Sequence, residues 1–498
     1  MISLFSPKAD HPLLDAREAR RVFAELAARE APEALEEATA WLESLPGAEG
    51  FKLAQRLETV LRLDEAVIRH ARQLTQAYLL RGRAGNLDGS RLWLLNHDYW
   101  QQLAAVYRDC LERWQGAGKP ERETVGANLS LFHARTLHAL GMRLRWDQFR
   151  YGPISAEFWL DLGTAYLAAV EADSERKGVS LHATAGMADA PTTGEAEYLK
   201  VLVFNASAMD QMTPLQIEAA ARLIAYFLPH LVLIREVWPT SMYWVDATKP
   251  QPPARLGRLP EVTPGLRFFT CTRAVEAVTT LRQAIQAGQP LPASLGAGID
   301  TATVLAVLEH LAMYWSPQPP VRNHVRRPLT SRIAVVHGLA AAHARLTGRA
   351  DASEVESWAV DDISLGGMRA QAQVGRRDWM HVGALLAIQP EGGDNWLIGI
   401  TRRYTRTAPN QASVGIETLT KKPRAVNADA EGLATDCLLL DDLVVGETAR
   451  LALPRTAAGE QVALTFSLDG KQARLFPTEK LETWDDFVIA RFLAQSFS

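Results

Sequence analysis

The sequence predicts a multidomain α + β protein, with a large all-α N-terminal region followed by a small β-barrel and a C-terminal β extension. Three observations carry that expectation. From about residue 14 to 315, Ala, Leu, Glu, Gln and Arg dominate, and apolar residues recur three and four apart, the spacing of one helix face. Proline then crowds into Ser316-Pro317-Gln318-Pro319-Pro320, which favours an extended, semi-rigid linker over 316–321. Beyond it, short β-type runs alternate with Gly and Asp/Asn turns, the texture of a small barrel. At 498 residues the chain exceeds a single core, so roughly two to four domains are expected.

Taken in order, Leu92, Leu94, Leu95, Tyr99, Leu103, Val106, Leu111 and Trp114 keep near one helical face. Asp64 and Asp88 sit where N-caps are expected, and Pro214 suits a first helical turn. The small-residue stretch Thr184 to Gly194 reads as a break between two helical subdomains, 1–190 and 191–315. Trp238 to Pro264 holds six prolines and reads as loop or short strand. Nine of the thirteen tryptophans precede residue 316, and their spacing makes them helix-packing core rather than a cofactor box. The β-type runs are Ile333 to Val336, Val355 to Val360, Met368 to Val374, Trp396 to Ile400, Val414 to Leu419, Cys437 to Leu440, Ala449 to Leu453 and Gln461 to Phe466. They place a barrel at 322–425 and a β extension at 426–498, which ends in the mixed segment Trp484 to Phe497.

Composition removes several classes of function. The chain is 47% hydrophobic and 22% charged, and its net charge of −4 gives no global field to recruit a nucleic acid polymer or an anionic membrane. Cys110, Cys271 and Cys437 are far apart, so neither a zinc knuckle nor a disulfide framework is suggested, and buried reduced thiols are expected. The first residues lack a basic start followed by a long apolar stretch, so no signal peptide is expected. The longest apolar run, Leu223 to Ile234, is broken by Pro229 and His230, short of the roughly 20 residues a membrane span needs. A cytoplasmic location is the expectation.

Catalytic motifs fail one after another. Pro120 follows Gly118-Lys119 where a phosphate loop needs Ser or Thr. Gly296 and Gly298 lack the third glycine and the preceding strand of a dinucleotide site. His133 and His138 are off the spacing that faces one metal. Asp441-Asp442 and Asp485-Asp486 read as solvated turns. No enzyme, metal or cofactor is expected.

One constellation remains. Arg322-Asn323-His324-Val325-Arg326-Arg327 contains Arg-x-x-x-Arg, and about forty residues later Asp362-Ile363-Ser364-Leu365-Gly366-Gly367 gives Asp-x-Ser-x-x-Gly after a strand-like run. Arg-x-x-x-Arg recurs at Arg17/Arg21, Arg345/Arg349 and Arg402/Arg406 and is uninformative alone, whereas the second motif occurs once. Guanidinium forks suit phosphate and stack on purines, carboxylates accept from guanine N1–H and N2–H₂, and glycine lets backbone approach a ligand closely. The order and spacing resemble the PilZ domain, the bacterial receptor module for cyclic di-GMP, over about a fifth of the chain.

The resemblance implies a cyclic di-GMP effector. Arg322 and Arg326 would grip phosphate and stack on guanine, Asp362 and Ser364 would read the other guanine, and Gly367 with Gly366 would hold the turn. Asn323 and Arg327 would be neighbours, and Gly415 would supply the glycine the family often has in a later strand. Val321 stands where the family has an arginine in members that take a stacked ligand dimer, so stoichiometry is open. Arg402, Arg403, Arg406, Lys421, Lys422 and Arg424 make the barrel region locally basic, either as a solvated rim or as added attraction for the ligand. A protein partner for the helical region is expected, with oligomeric state open. The alternative is a nucleotide-independent scaffold, as in PilZ proteins tied to pilus assembly.

Overall fold

The computed structural model describes residues 11–81, 87–182, 191–318, 324–349, 355–375, 379–457, 462–484 and 486–497. They fall into two compact units. The first comprises the described parts of Met1–Arg150, Ile154–Met209 and Pro214–Pro320, and the second those of Tyr151–Pro153, Asp210–Thr213 and Val321–Ser498.

The first unit is built from α1 (Ala16–Ala28), α2 (Ala31–Ser44), α3 (Leu53–Arg81), α4 (Leu87–Gly116), α5 (Lys119–Glu123), α6 (Leu129–Gln148), α7 (Ala156–Glu171), α8 (Gly194–Ala206), α9 (Pro214–Tyr226), α10 (Thr272–Gln286) and α11 (Thr301–Tyr314). Polar side chains start several of them by taking orphan amides. Asp15 Oδ1 accepts from the Arg17 and Glu18 amides at 2.8 and 2.9 Å, and Ser155, Thr193 and Asp300 cap α7, α8 and α11. Pro214 opens α9, where its missing N–H costs nothing. On α4 the expected stripe is buried at Leu92, Tyr99, Leu103, Val106, Leu111 and Trp114, while Leu94 turns out to solvent. Of the tryptophans, Trp100, Trp114, Trp146, Trp159 and Trp315 are core and Trp238 is exposed.

This unit is not purely helical. The proline-rich interruption belongs to a four-stranded antiparallel sheet of β1 (Val232–Ile234), β2 (Tyr243–Asp246), β3 (Ala254–Arg255) and β4 (Leu266–Thr270), in the order β1-β4-β2-β3. Gly163 of α7 lets the Ala247 backbone come so close that a Cβ would lie 1.9 Å from its carbonyl oxygen. Most of the expected subdomain break at 184–194 lies outside the described residues, as does the end of the proline linker.

Asp64 is not a cap. It lies inside α3, buried, because four donors from distant segments meet it there. Tyr99 and Tyr107 hydroxyls donate at 3.1 Å, and Arg135 Nη1 and His182 Nε2 lie at 3.3 Å. Against the opposing cost of burial, His182, Arg135 and His138 hold its carboxyl far below the usual range. Asp88 lies within the first turn of α4.

The second unit holds two closed barrels. The first has β5 (Arg327–His337), β6 (Glu356–Ser364), β7 (Gly367–Gln373), β8 (Leu385–Pro390), β9 (Leu397–Ala408) and β10 (Gln411–Thr420), closing as β10-β7-β6-β5-β8-β9. A helix, α12 (Leu339–Leu346), follows β5. The second barrel has β11 (Arg424–Ala430), β12 (Leu433–Leu439), β13 (Thr448–Pro454), β14 (Leu464–Leu468), β15 (Lys471–Thr483) and β16 (Phe487–Phe497), closing as β11-β12-β13-β16-β15-β14. Both circuits therefore run through their own strands in the order first, second, third, sixth, fifth, fourth. The C-terminal segment read as mixed is the long strand β16.

Each barrel buries alternate residues, as a half-exposed strand must. Val426, Leu439, Leu451, Leu464, Phe466, Leu475 and Phe492 fill the second one. Leu438, Ala452, Phe487 and Ile489 join a core with Val336, Leu385, Ile398 and Ile400 of the first barrel and Leu339 of α12. Trp484 lies over Gly383, where a Cβ would meet its ring at 2.0 Å, and Arg402 Nη2 pairs with Glu482 Oε1 at 2.7 Å.

Candidate ligand site

The β6–β7 hairpin turns at Leu365-Gly366, with Ser364 paired to Gly367. Ser364 Oγ donates to the Gly367 carbonyl at 3.1 Å, and the Gly366 carbonyl accepts from the Thr418 amide at 3.0 Å. A close backbone approach explains Gly367. A Cβ on Gly367 would lie 2.1 Å from the Ile416 carbonyl oxygen, and one on Gly366 would meet the His324 ring at 3.0 Å. Leu365 stands 70% exposed at the tip.

Two arginines converge on Asp362, whose residue is only 9% exposed. Arg326, just before β5, donates from Nη1 to Asp362 Oδ1 at 2.6 Å. Arg369 of β7 places Nη2 2.9 Å from Asp362 Oδ2 and Nε 3.3 Å from Asp361 Oδ2. Gln371 Nε2 donates to that same Asp361 oxygen at 2.7 Å. Adjacent strand residues normally point to opposite faces, but a register shift between Val360 and Asp362 brings both carboxylates within reach of one guanidinium. The strand pairing continues Asp362–Arg369–Gly415–Arg403 across β6, β7, β10 and β9. Gly415 is a gap between two arginines in that row, and Arg403 Nε lies 3.1 Å from Asp210 Oδ2.

Of the residues expected from the motif, Arg326, Asp362, Ser364, Gly366 and Gly367 come together. Arg327 is exposed at the first position of β5, opposite Ile363, and Arg322 and Asn323 lie outside the described residues. Arg369 was missed. Its only signal is an outward position two residues beyond Gly367 in an alternating strand, which any surface arginine shares.

Three of the six cations of the basic rim are paired with carboxylates. Arg402 pairs with Glu417 and Glu482, Arg403 with Asp210, and Arg424 with Asp469. Asp441 lies in a turn, as expected, but is also gripped by Arg450, with Nε at 2.9 Å, Nη2 at 2.7 Å and the amide at 2.9 Å. Those bonds hold the Asp441 carboxyl below its ordinary range.

In the helical unit, a pocket of about 60 Å³ is lined by His138, Arg145, Glu197 and Lys200. Its polar groups are paired, Glu197 taking His138 at 3.1 Å and Lys200 at 2.7 Å and Arg145 donating to Glu218 at 3.2 Å. The cavity is far below the roughly 300 Å³ at which small-molecule sites begin. The three cysteines are buried, and burial pushes each thiol up to about 12. Among the described residues no three His, Cys, Asp or Glu side chains gather as metal ligands, and no helix is long and apolar enough to cross a membrane.

Residues 17–236 match the family model described as the N-terminal domain of the cyclic-di-GMP receptor FimW. The match covers somewhat under half of the chain and lies in the helical region, which the sequence motifs had left without a family; it does not reach the barrels. No curated protein matches.

Proposed function

We propose that this chain is a cyclic di-GMP-binding effector whose first barrel is a PilZ-like receptor. The observation that carries the reading is the convergence of Arg326, Asp362, Ser364, Gly366 and Gly367 at one end of the β6–β7 hairpin. The match of residues 17–236 to the N-terminal domain of a cyclic-di-GMP receptor is independent support, because it comes from a part of the chain outside this motif. Arg326, with Arg322 and Asn323 of the connecting segment, takes the phosphates and stacks on guanine, while Asp362 and Ser364 read a guanine edge. Engagement of that segment fixes the chain's passage from helical region to barrel and so regulates a protein-binding surface on the helices. The ligand shifts this equilibrium only by its preference for one arrangement. The chain acts as a cytoplasmic binding protein rather than an enzyme.

The test is calorimetric titration of the full chain with cyclic di-GMP, with GTP and cyclic di-AMP as controls. Selective binding at micromolar or lower concentration supports the receptor, and the fitted stoichiometry decides between one ligand and two. Absence of heat and of thermal stabilisation contradicts it. One observation favours a second reading, a nucleotide-independent scaffold: both oxygens of Asp362 are already engaged by arginines, so the motif is self-satisfied without ligand.

A further inference from the structure

Resting on the receptor reading, the geometry points to Arg369 as a positioning residue that lets Asp362 exchange Arg326 for ligand. Asp362 meets its two arginines through different oxygens, Oδ1 at 2.6 Å from Arg326 and Oδ2 at 2.9 Å from Arg369. For Arg326 to turn onto a phosphate it must leave Oδ1. Without another cation, that step would leave Asp362 little exposed and beside the charge of Asp361, a costly arrangement. Arg369 removes the obstacle because it stays on Oδ2 and also reaches Asp361 Oδ2 at 3.3 Å. Oδ1 then accepts a guanine N–H, and Oδ2 has a lone pair for the second donor.

The second barrel shows the closed form of this arrangement. Asp441 follows β12 and is held by Arg450 through both of its oxygens and an amide. Pro423, not an arginine, stands just before β11, the place that Arg326 takes before β5. The charged and titratable groups around Asp362 are Arg326, Asp361 and Arg369, with His324 against Gly366 and Arg403 beyond Gly415.

The test is cyclic di-GMP titration of the full chain and of Arg369→Gln, Arg369→Lys and Asp361→Asn/Arg369→Gln variants at one pH. Thermal unfolding of each variant reports folding separately. Arg369→Gln is expected to weaken binding about tenfold or more, with Arg369→Lys restoring part of the loss. Asp361→Asn should recover most of it by removing the like charge. Unchanged affinity in Arg369→Gln overturns the inference, as does a loss that neither Arg369→Lys nor Asp361→Asn relieves. If the unaltered chain binds no cyclic di-GMP, the receptor reading falls and this inference falls with it.

Discussion

The two barrels close through the same circuit of strands yet carry opposite chemistry at the same place. In the first, Asp362, Ser364 and Gly367 stand at the end of the second strand and the start of the third; in the second, Asp441, Leu443 and Gly446 repeat the spacing. Leu443 packs on the barrel core where Ser364 offers a hydroxyl. Asp441 is closed by one arginine of its own following strand, whereas Asp362 is shared by two, one of them outside the strands. The barrel is thus a common frame, and binding capacity resides in whether its carboxylate can change partners.

The sharpest way to break that comparison is to remove one arginine from each barrel. Arg326→Ala should weaken cyclic di-GMP about ten- to a hundredfold, the loss of a charge-assisted contact of about 1.5–3 kcal/mol, measured by calorimetry. Arg450→Ala should leave the affinity unchanged and instead speed amide exchange in β12 and β13. Equal effects of the two would dissolve the distinction.

A smaller effect separates the glycines. Gly367→Ala forces a methyl against the Ile416 carbonyl and should cost about 1–3 kcal/mol, seen as a lower unfolding midpoint and weaker ligand binding. Gly446 has open space around it and a φ of +85°, so Gly446→Ala should cost only about 1–2 kcal/mol of backbone strain and leave ligand affinity alone.

The smallest effect is acid sensitivity in the second barrel. Asp441 titrates below an unfolded aspartate, so its contribution is present above about pH 4 and fades as pH falls through its depressed value. Asp441→Asn should flatten that part of the stability profile in unfolding experiments across acid pH.

The sequence made the helical and β-rich regions legible because their periods differ and proline marks the change between them. It also exposed Asp362, Ser364 and Gly367, whose spacing is set by a local hairpin. Contacts between distant segments were invisible. Asp64 read as a cap because Tyr99, Tyr107, Arg135 and His182 reach it only after folding. Arg369 depends on a bulge that aligns Asp361 with Asp362. The second barrel was legible only as scattered β runs, since β11 and β15 are rich in polar or small residues and gain their faces through pairing.

Hydrogen–deuterium exchange of the full chain with and without cyclic di-GMP tests the central claim most directly. Protection concentrated at His324 to Pro328 and Asp361 to Arg369, with β12 and β13 unchanged, is the predicted result. Protection at Asp441 to Arg450, or none in either barrel at saturating ligand, would contradict it.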